Sequence, residues 1–363
     1  MRVAILGAGA IAYGCAAFLC REGHEPVLWS PSGSRGRSIS SGAPLVAQGA
    51  IEGSFHPQVT ERCEDAIRDA EAVLVALPAN GHKRAMDEAA PYLRPDQTVM
   101  ISSHTSFSAL YLAKLLAKRG IEVPIVVWST TVTAGRQTGD ASVNVAVVRT
   151  KVDAATLPAS ASGKGLAVCR ALFGDRFNER PDMLAIALSN LNPQNHMGIA
   201  LCNFTRMERG ERWGQNENIT DSVGNLLQSL DDERLAIAAA FGYQVRTIQE
   251  HYHLSFHVEP GPVGAMSKAI HERGGGGYGP TTIDTRYVLE DVPYGLVPTV
   301  MLGTLTGVGA PLHAAGIRIF SALYGRDLAA ENDLLPELGL EGMSLEDLRI
   351  LMRDGWDQEA LAA

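Results

Sequence analysis

Short apolar, β-rich runs punctuate the first half of the chain: "RVAIL", "PVLW", "AVLVALP", "TVMISS" and "IVVWST". Stretches with helical spacing separate them, at residues 10 to 22, 80 to 92 and 106 to 119. That alternation predicts a mostly parallel sheet with crossover helices. Between them "PLVAQGAIEG" reads as a small extra hairpin, "VNVAVVRT" adds a strand near residue 147, and "ASASGK", 159 to 164, reads as a surface loop. After about residue 182 the period changes. Helix-period segments cover 183 to 207, 220 to 241, 244 to 256, 295 to 324 and 344 to 362, and no comparable strands recur. The run "RGGGGYGP", 273 to 280, is too flexible for an element interior and is read as a loop. The expectation is an α/β domain over residues 1–181 followed by an all-α domain over 182–363, without internal repeats.

Composition narrows the class. A chain of 363 residues is long for one core, which supports two domains. It is 46% hydrophobic and 20% charged, with no apolar run long enough to span a bilayer and no segment resembling a targeting peptide, so a cytoplasmic protein is expected. Net charge is −9 and the basic residues are dispersed, which argues against nucleic acid as a partner. Cys15, Cys20, Cys63, Cys169 and Cys202 are odd in number and contain no C-x-x-C pair, so neither a disulfide framework nor a zinc site is expected.

The candidate chemistry begins at "VAILGAGAIAYG", which places Gly7, Gly9 and Ala12 directly after a strand and at the opening of a helix. This is the context of the dinucleotide-binding G-x-G-x-x-[GA] turn of a Rossmann domain. Gly7 permits the tight turn and Gly9 lets backbone approach a pyrophosphate. Ala12 lets helix and strand close together while the helix N-terminus faces the anion. Ala10 and Ile11 in the same turn, and Pro78 closing "AVLVALP", complete this part of the candidate cofactor site. At the end of the second strand, where a carboxylate would bind the ribose 2′-hydroxyl of NAD, the chain has Ser30, followed by Ser32, Ser34, Arg35 and Arg37. Hydroxyls and a guanidinium suit a 2′-phosphate, so NADP is preferred over NAD; the other reading is a solvated loop beside NAD.

In "LNPQNHMG", Asn192 and Pro193 resemble a helix start, and Asn192 and His196 share a face by i, i+4 spacing. "IDTRYVLEDVPYGLVP", 283 to 298, concentrates charge before Pro293. On a regular helix Arg286 and Asp291 would stand about 140° apart, so they face one point only if the segment is distorted or a ligand lies between them. Spacing alone favours an Arg286–Glu290 pair. His251, His253 and His257 have no carboxylate or cysteine at ligand spacing, and no metal is expected. Lys268 and His271 read as a solvated helix end, "GGGG" as a lid hinge or a surface loop, and the apolar stripe 295 to 312 as core or as the interface of a homodimer.

Taken together, the glycine turn, N-x-x-x-H at Asn192 and His196, and R-x-x-x-x-D within "RYVLEDVPYGLVP" resemble the opine dehydrogenases, the octopine/nopaline dehydrogenase family. The likeness extends over nearly the whole chain, and "EDVPYGLVP" is its most specific part. It implies a Rossmann domain followed by a helical domain, an active site between them, and small-molecule substrates. The implied reaction condenses the amino group of an amino acid with a 2-oxo acid, and the nicotinamide reduces the imine to a secondary amine dicarboxylate. Carried over by motif, His196 is the acid–base group and Asp291 its carboxylate partner. Arg286 would bind a substrate carboxylate, Asn192 would position substrate or nicotinamide, and Thr130 falls near a threonine used against the oxo acid, with Ser129 and Thr131 as alternatives. The chain departs from the family at Met197, where many members carry proline, and before Arg136, where the usual proline and cysteine are missing. A ketopantoate reductase-type enzyme acting on a 2-oxo or 3-oxo acid is the rival on the same architecture, although such enzymes rely on a lysine that the N-x-x-x-H stretch lacks. A catalytically inactive nicotinamide-binding sensor is the reading from another class.

Overall fold

Each of the apolar runs becomes a strand buried along nearly its whole length, because a strand covered on both faces needs no polar alternation. The computed structural model describes residues 1–356. In chain order the strands are β1 Arg2–Leu6, β2 Glu25–Trp29, β3 Leu45–Gly49, β4 Gly53–Phe55, β5 Gln58–Thr60, β6 Ala72–Val75, β7 Thr98–Ile101, β8 Ile125–Trp128, β9 Thr133–Gly139, β10 Ser142–Val148, β11 Val152–Leu157 and β12 Phe177–Glu179. The main sheet has the order β12-β11-β8-β7-β6-β1-β2-β5. It is parallel from β5 through β8; β11 runs antiparallel to β8, and β12 parallel to β11. Its strand order reverses at β1, so the turn after β1 lies at the position where open α/β sheets bind ligands.

A second sheet, β4-β3-β10-β9, packs on the helix Ala10–Arg21. The expected hairpin is β3 with β4, and the strand expected near residue 147 is β10, paired in this second sheet with β3 and β9. The helix is consequently covered on two sides and buried from Ala12 to Leu19. Tyr13 Oη donates to the carbonyl of Asp140 (3.0 Å), tying the helix to the β9–β10 turn.

One expected surface loop is a helix. Residues Ala159–Ala161 form a short 3₁₀ turn and Ser162–Phe173 continue as an α-helix. Gly165 in "SGKG" serves packing: a Cβ there would stand 2.7 Å from a methyl of Val126 on the sheet.

By its contacts the described chain divides into two units, residues 1–187 with 348–356, and residues 188–347. In the second unit the segment 183 to 207 is not one helix but Met183–Leu188, Asn192–Cys202 and Phe204–Glu208, the first of which lies mostly in unit one. Asp221–Ala240 starts at Thr220, whose hydroxyl accepts from Val223 N, and Ile248–Phe256 starts with a Thr247/Glu250 capping box. Val263–Glu272 is a helix that periodicity missed, and 295 to 324 breaks at Gly307 into Val297–Thr306 and Pro311–Tyr324. Leu227, Leu230, Ile248, Met266, Val288, Leu296 and Phe320 form the centre of this unit's core. The last described helix, Leu345–Asp354, differs from expectation in its affiliation: from Leu348 it belongs with the first unit, where Trp356 Nε1 donates to Leu110 O (2.9 Å). The end of the segment expected helical, 357 to 362, lies outside the described residues. No helix among the described residues is long and apolar enough to cross a membrane.

Candidate active site

Two constellations stand out, one in each unit. In the first, β1 ends at Leu6 and the chain turns at Gly7, with φ of 142°; a Cβ there would lie 2.3 Å from the carbonyl oxygen of Ala76. Only glycine fits. Gly9 precedes the helix Ala10–Arg21 and offers no side chain to its free N–H groups, so those of Ala10 and Ile11 begin the helix uncapped by protein. The Arg35 guanidinium reaches over this turn, 3.6 Å from where a Cβ on Gly9 would stand. Ala12 is fully buried beneath it. Beyond β2 the hydroxyls of Ser30, Ser32 and Ser34 are linked in a chain, each step 3.1 Å, and Arg37 Nε donates to Gly33 O. Pro78 follows β6 and starts the 3₁₀ turn Ala79–Gly81. Free helix N–H groups and a guanidinium over an open glycine turn match the demands of a dinucleotide's phosphates.

In the second unit the helix Asn192–Cys202 carries Asn192 and His196 on one face. Asn192 is its first helical residue rather than its cap, which is Leu191; Asn190 Oδ1 accepts from Asn192 N (3.0 Å) and shapes the entry instead. His196 Nδ1 lies 2.7 Å from Asp291 Oδ2, with the two side chains 14% and 4% exposed. An ionised carboxylate only accepts, so Nδ1 carries the proton and Nε2 is the nitrogen left for chemistry.

The contact across 95 positions has a local cause. The helix Arg286–Leu289 does not continue regularly but widens into a π-turn, Val292–Leu296, at Pro293. Gly295 in this turn sits flat against Pro193, where a Cβ would come within 2.4 Å of the proline ring. That approach brings the two segments together, with His196 three residues after Pro193 and Asp291 four before Gly295. Asn332 Nδ2 donates to Pro293 O (2.8 Å), and Tyr294 Oη donates to Asp333 Oδ1 (2.8 Å), so the widened turn is held from outside. The distortion also sorts the charges. Arg286 Nε pairs with Glu290 Oε2 at 3.2 Å while Asp291 turns to His196, so Arg286 and Asp291 do not converge on a single partner. Partial desolvation works against the charge of Arg286, whose side chain is 58% exposed, but the neighbouring Glu290, Asp291 and Tyr287 more than offset it and raise its pKa.

Sequence reasoning overlooked Tyr287. Its ring lies 3.6 Å from the His196 imidazole, tilted by only 11°, and its hydroxyl donates to Gln215 Oε1 (2.6 Å). The available signal was its i, i+4 spacing to Asp291, which places both on one side of the segment.

The chain is 30% identical over 354 residues, 95% of its length and 97% of the relative's, to the opine dehydrogenase of Arthrobacter sp. (strain 1C). It belongs to the opine dehydrogenase family. The family model for the NAD/NADP octopine/nopaline dehydrogenase alpha-helical domain matches residues 179–324, and that for ketopantoate reductase PanE/ApbA matches residues 3–155. The fold is that of octopine dehydrogenase: the structure of that enzyme with NADH and L-arginine superposes with a TM-score of 0.80 at 17% identity, covering 97% of both chains. Yersinopine dehydrogenase with NADP+ bound superposes with 0.69 at 16% identity, covering 97% of this chain and 98% of that one. The other candidates from the sequence are placed as follows. Thr130 lies half-buried in the bend after β8, whereas the Thr131 hydroxyl is engaged by Arg149 Nη1 (2.9 Å). His253 Nδ1 bonds to Val258 O (2.8 Å) and His257 ends its helix in the left-handed conformation, so this histidine group serves a helix terminus. Lys268 and Glu272 are an exposed pair.

Proposed function

We propose that the protein is an NAD(P)H-dependent opine dehydrogenase that joins an amino acid's amine to a 2-oxo acid and reduces the product to a secondary amine dicarboxylate. The observation that carries this reading is the His196–Asp291 contact, formed in a chain of this family by residues 95 positions apart. The bound reduced nicotinamide would supply the hydride. Gly7, Gly9, Ala10, Ile11 and Ala12 would hold its pyrophosphate, with Pro78 beside them.

His196 manages the protons. As the amine adds to the oxo acid's carbonyl, the imidazolium Nε2–H protonates the oxygen to give a carbinolamine, and the now neutral imidazole takes the proton that the added nitrogen sheds; returning that proton to the hydroxyl lets it leave as water as the C=N bond forms. Asp291 keeps the ring in one tautomer and stabilises the imidazolium. Arg286 is more than half exposed and keeps donors beyond those facing Glu290, so it can receive a substrate carboxylate. Asn192 and Thr130 are assigned to positioning substrate. Ser30, Ser34 and Arg35 favour NADP over NAD, since this loop presents hydroxyls and a guanidinium and no carboxylate. Burial raises the pKa of all five free cysteines, which fits inert thiols in a cytoplasmic enzyme.

A panel of amino acids and 2-oxo acids, assayed with NADPH and with NADH, tests the reading. Steady oxidation that requires both an amine and an oxo acid is expected. Oxidation with the oxo acid alone would instead assign a reductase of the ketopantoate type, and cofactor binding without turnover on the whole panel would assign a sensor.

A further inference from the structure

We infer that Tyr287 is a positioning residue for the reaction, acting through the face of the His196 imidazole. The inference rests on the acid–base reading of His196. The 2.7 Å hydrogen bond from Nδ1 to Asp291 resists rotation of the ring about Cβ–Cγ, but a single contact at the edge still lets the ring plane tilt, so Asp291 by itself does not hold Nε2 in one direction. A parallel ring at 3.6 Å fixes the plane. The Tyr287 ring is itself held at both ends. Thr285 Oγ1 accepts from Tyr287 N (3.4 Å) at the start of its helix, and the phenol hydroxyl donates to Gln215 Oε1 (2.6 Å). Gln215 in turn is anchored by its own backbone, its N–H donating to Gly277 O (3.1 Å) in the glycine run.

The stacked phenol also has an electrostatic consequence. An aromatic face attracts a cation, so it favours the imidazolium over the neutral ring, at the same histidine that must be protonated to donate. Asp291 acts at the ring's edge and Tyr287 at its face.

The test compares wild type, Tyr287→Phe and Tyr287→Leu by turnover and by NMR titration of the His196 ring in substrate-free protein. In Tyr287→Leu, kcat should fall by about ten- to a hundredfold, the range for a misplaced proton-transfer group, while the KM for oxo acid and the NADPH affinity stay within about twofold. Its His196 midpoint should drop by about half a pH unit, the size of an exposed-to-half-buried cation–ring interaction. Tyr287→Phe keeps the face, so its midpoint should match wild type and its kcat should lie within about threefold. An unmoved midpoint in Tyr287→Leu overturns the inference whatever the rate; so does full activity in that variant, or a Phe variant as impaired as the Leu one. If wild type shows no amine-dependent turnover, the functional reading fails by itself, and the titration still decides whether Tyr287 governs the imidazole.

Discussion

Arg35 is the side chain on which the choice between the two nicotinamide cofactors turns. It lies over the Gly9 turn, while Ser30 stands where a carboxylate would select NAD. Replacing it by alanine should raise the KM for NADPH by roughly ten- to a hundredfold, the worth of one or two charge-assisted hydrogen bonds, and leave that for NADH nearly unchanged. Steady-state kinetics with both cofactors would check this. An equal effect on both would place the guanidinium on the shared pyrophosphate. At this scale the glycine turn was legible because its chemistry is local: Gly7, Gly9 and Ala12 are read from six consecutive positions. His196 with Asp291 was legible only through a family resemblance, since nothing in either segment alone announces a partner 95 residues away. Tyr287 was overlooked, because stacking leaves no mark on hydrophobic periodicity and its i, i+4 spacing to Asp291 is the one trace in the sequence.

Among the elements, the π-turn Val292–Leu296 decides whether the dyad forms. Spacing on a regular helix separates Arg286 from Asp291 and pairs Arg286 with Glu290; the structure keeps that pair and uses the widened turn to send Asp291 to His196. Gly295 makes this possible by lying against Pro193. Gly295→Ala should therefore cost about 1–3 kcal/mol through overpacking and reduce kcat by more than it weakens NADPH binding. Thermal unfolding and kinetics on the purified variant would check it; a variant as stable and active as wild type would show that the close approach does not set the dyad. The strands of the first half were legible because burial on both faces leaves an unbroken apolar run. The strand β11 and the helix Val263–Glu272 were not: "VDAATL" contains polar residues that sit in the sheet, and "VGAMSKAIHE" is squeezed between Pro262 and the glycine run. Irregularity forced by proline and glycine, as at 293 to 295, is decided by tertiary contacts and escapes any periodicity.

For the whole molecule, the Rossmann-type unit and the helical unit were visible as a change of period near residue 182, but the return of the C-terminal helix to the first unit was not, since its amphipathic pattern is the same whichever surface it covers. Stability has its own pH signature. Burial pushes His82 down to about 4 and His104 down to about 3, from an ordinary value near 6.5. Below about pH 6.5 the unfolded chain binds protons at both positions while the folded chain does not, so stability is full above that pH and declines as pH falls toward 4. For His82 the full effect is about 3 kcal/mol. Glu233, whose pKa burial tends to raise but His313 and two backbone N–H groups lower, adds a loss in the same direction within the carboxylate range. Melting temperature should thus drop between pH 7 and pH 4.5, less steeply in His82→Gln; a flat profile would contradict the buried neutral imidazoles. The chain's central property is nonetheless catalytic, and the most direct measurement is NADPH oxidation by His196→Ala with saturating amine and oxo acid, alongside NADPH binding. Turnover should fall by about a hundred- to ten-thousandfold, with cofactor affinity within about twofold of wild type. A His196→Ala protein that forms the secondary amine at the wild-type rate would remove the imidazole, and its pairing with Asp291, from the chemistry.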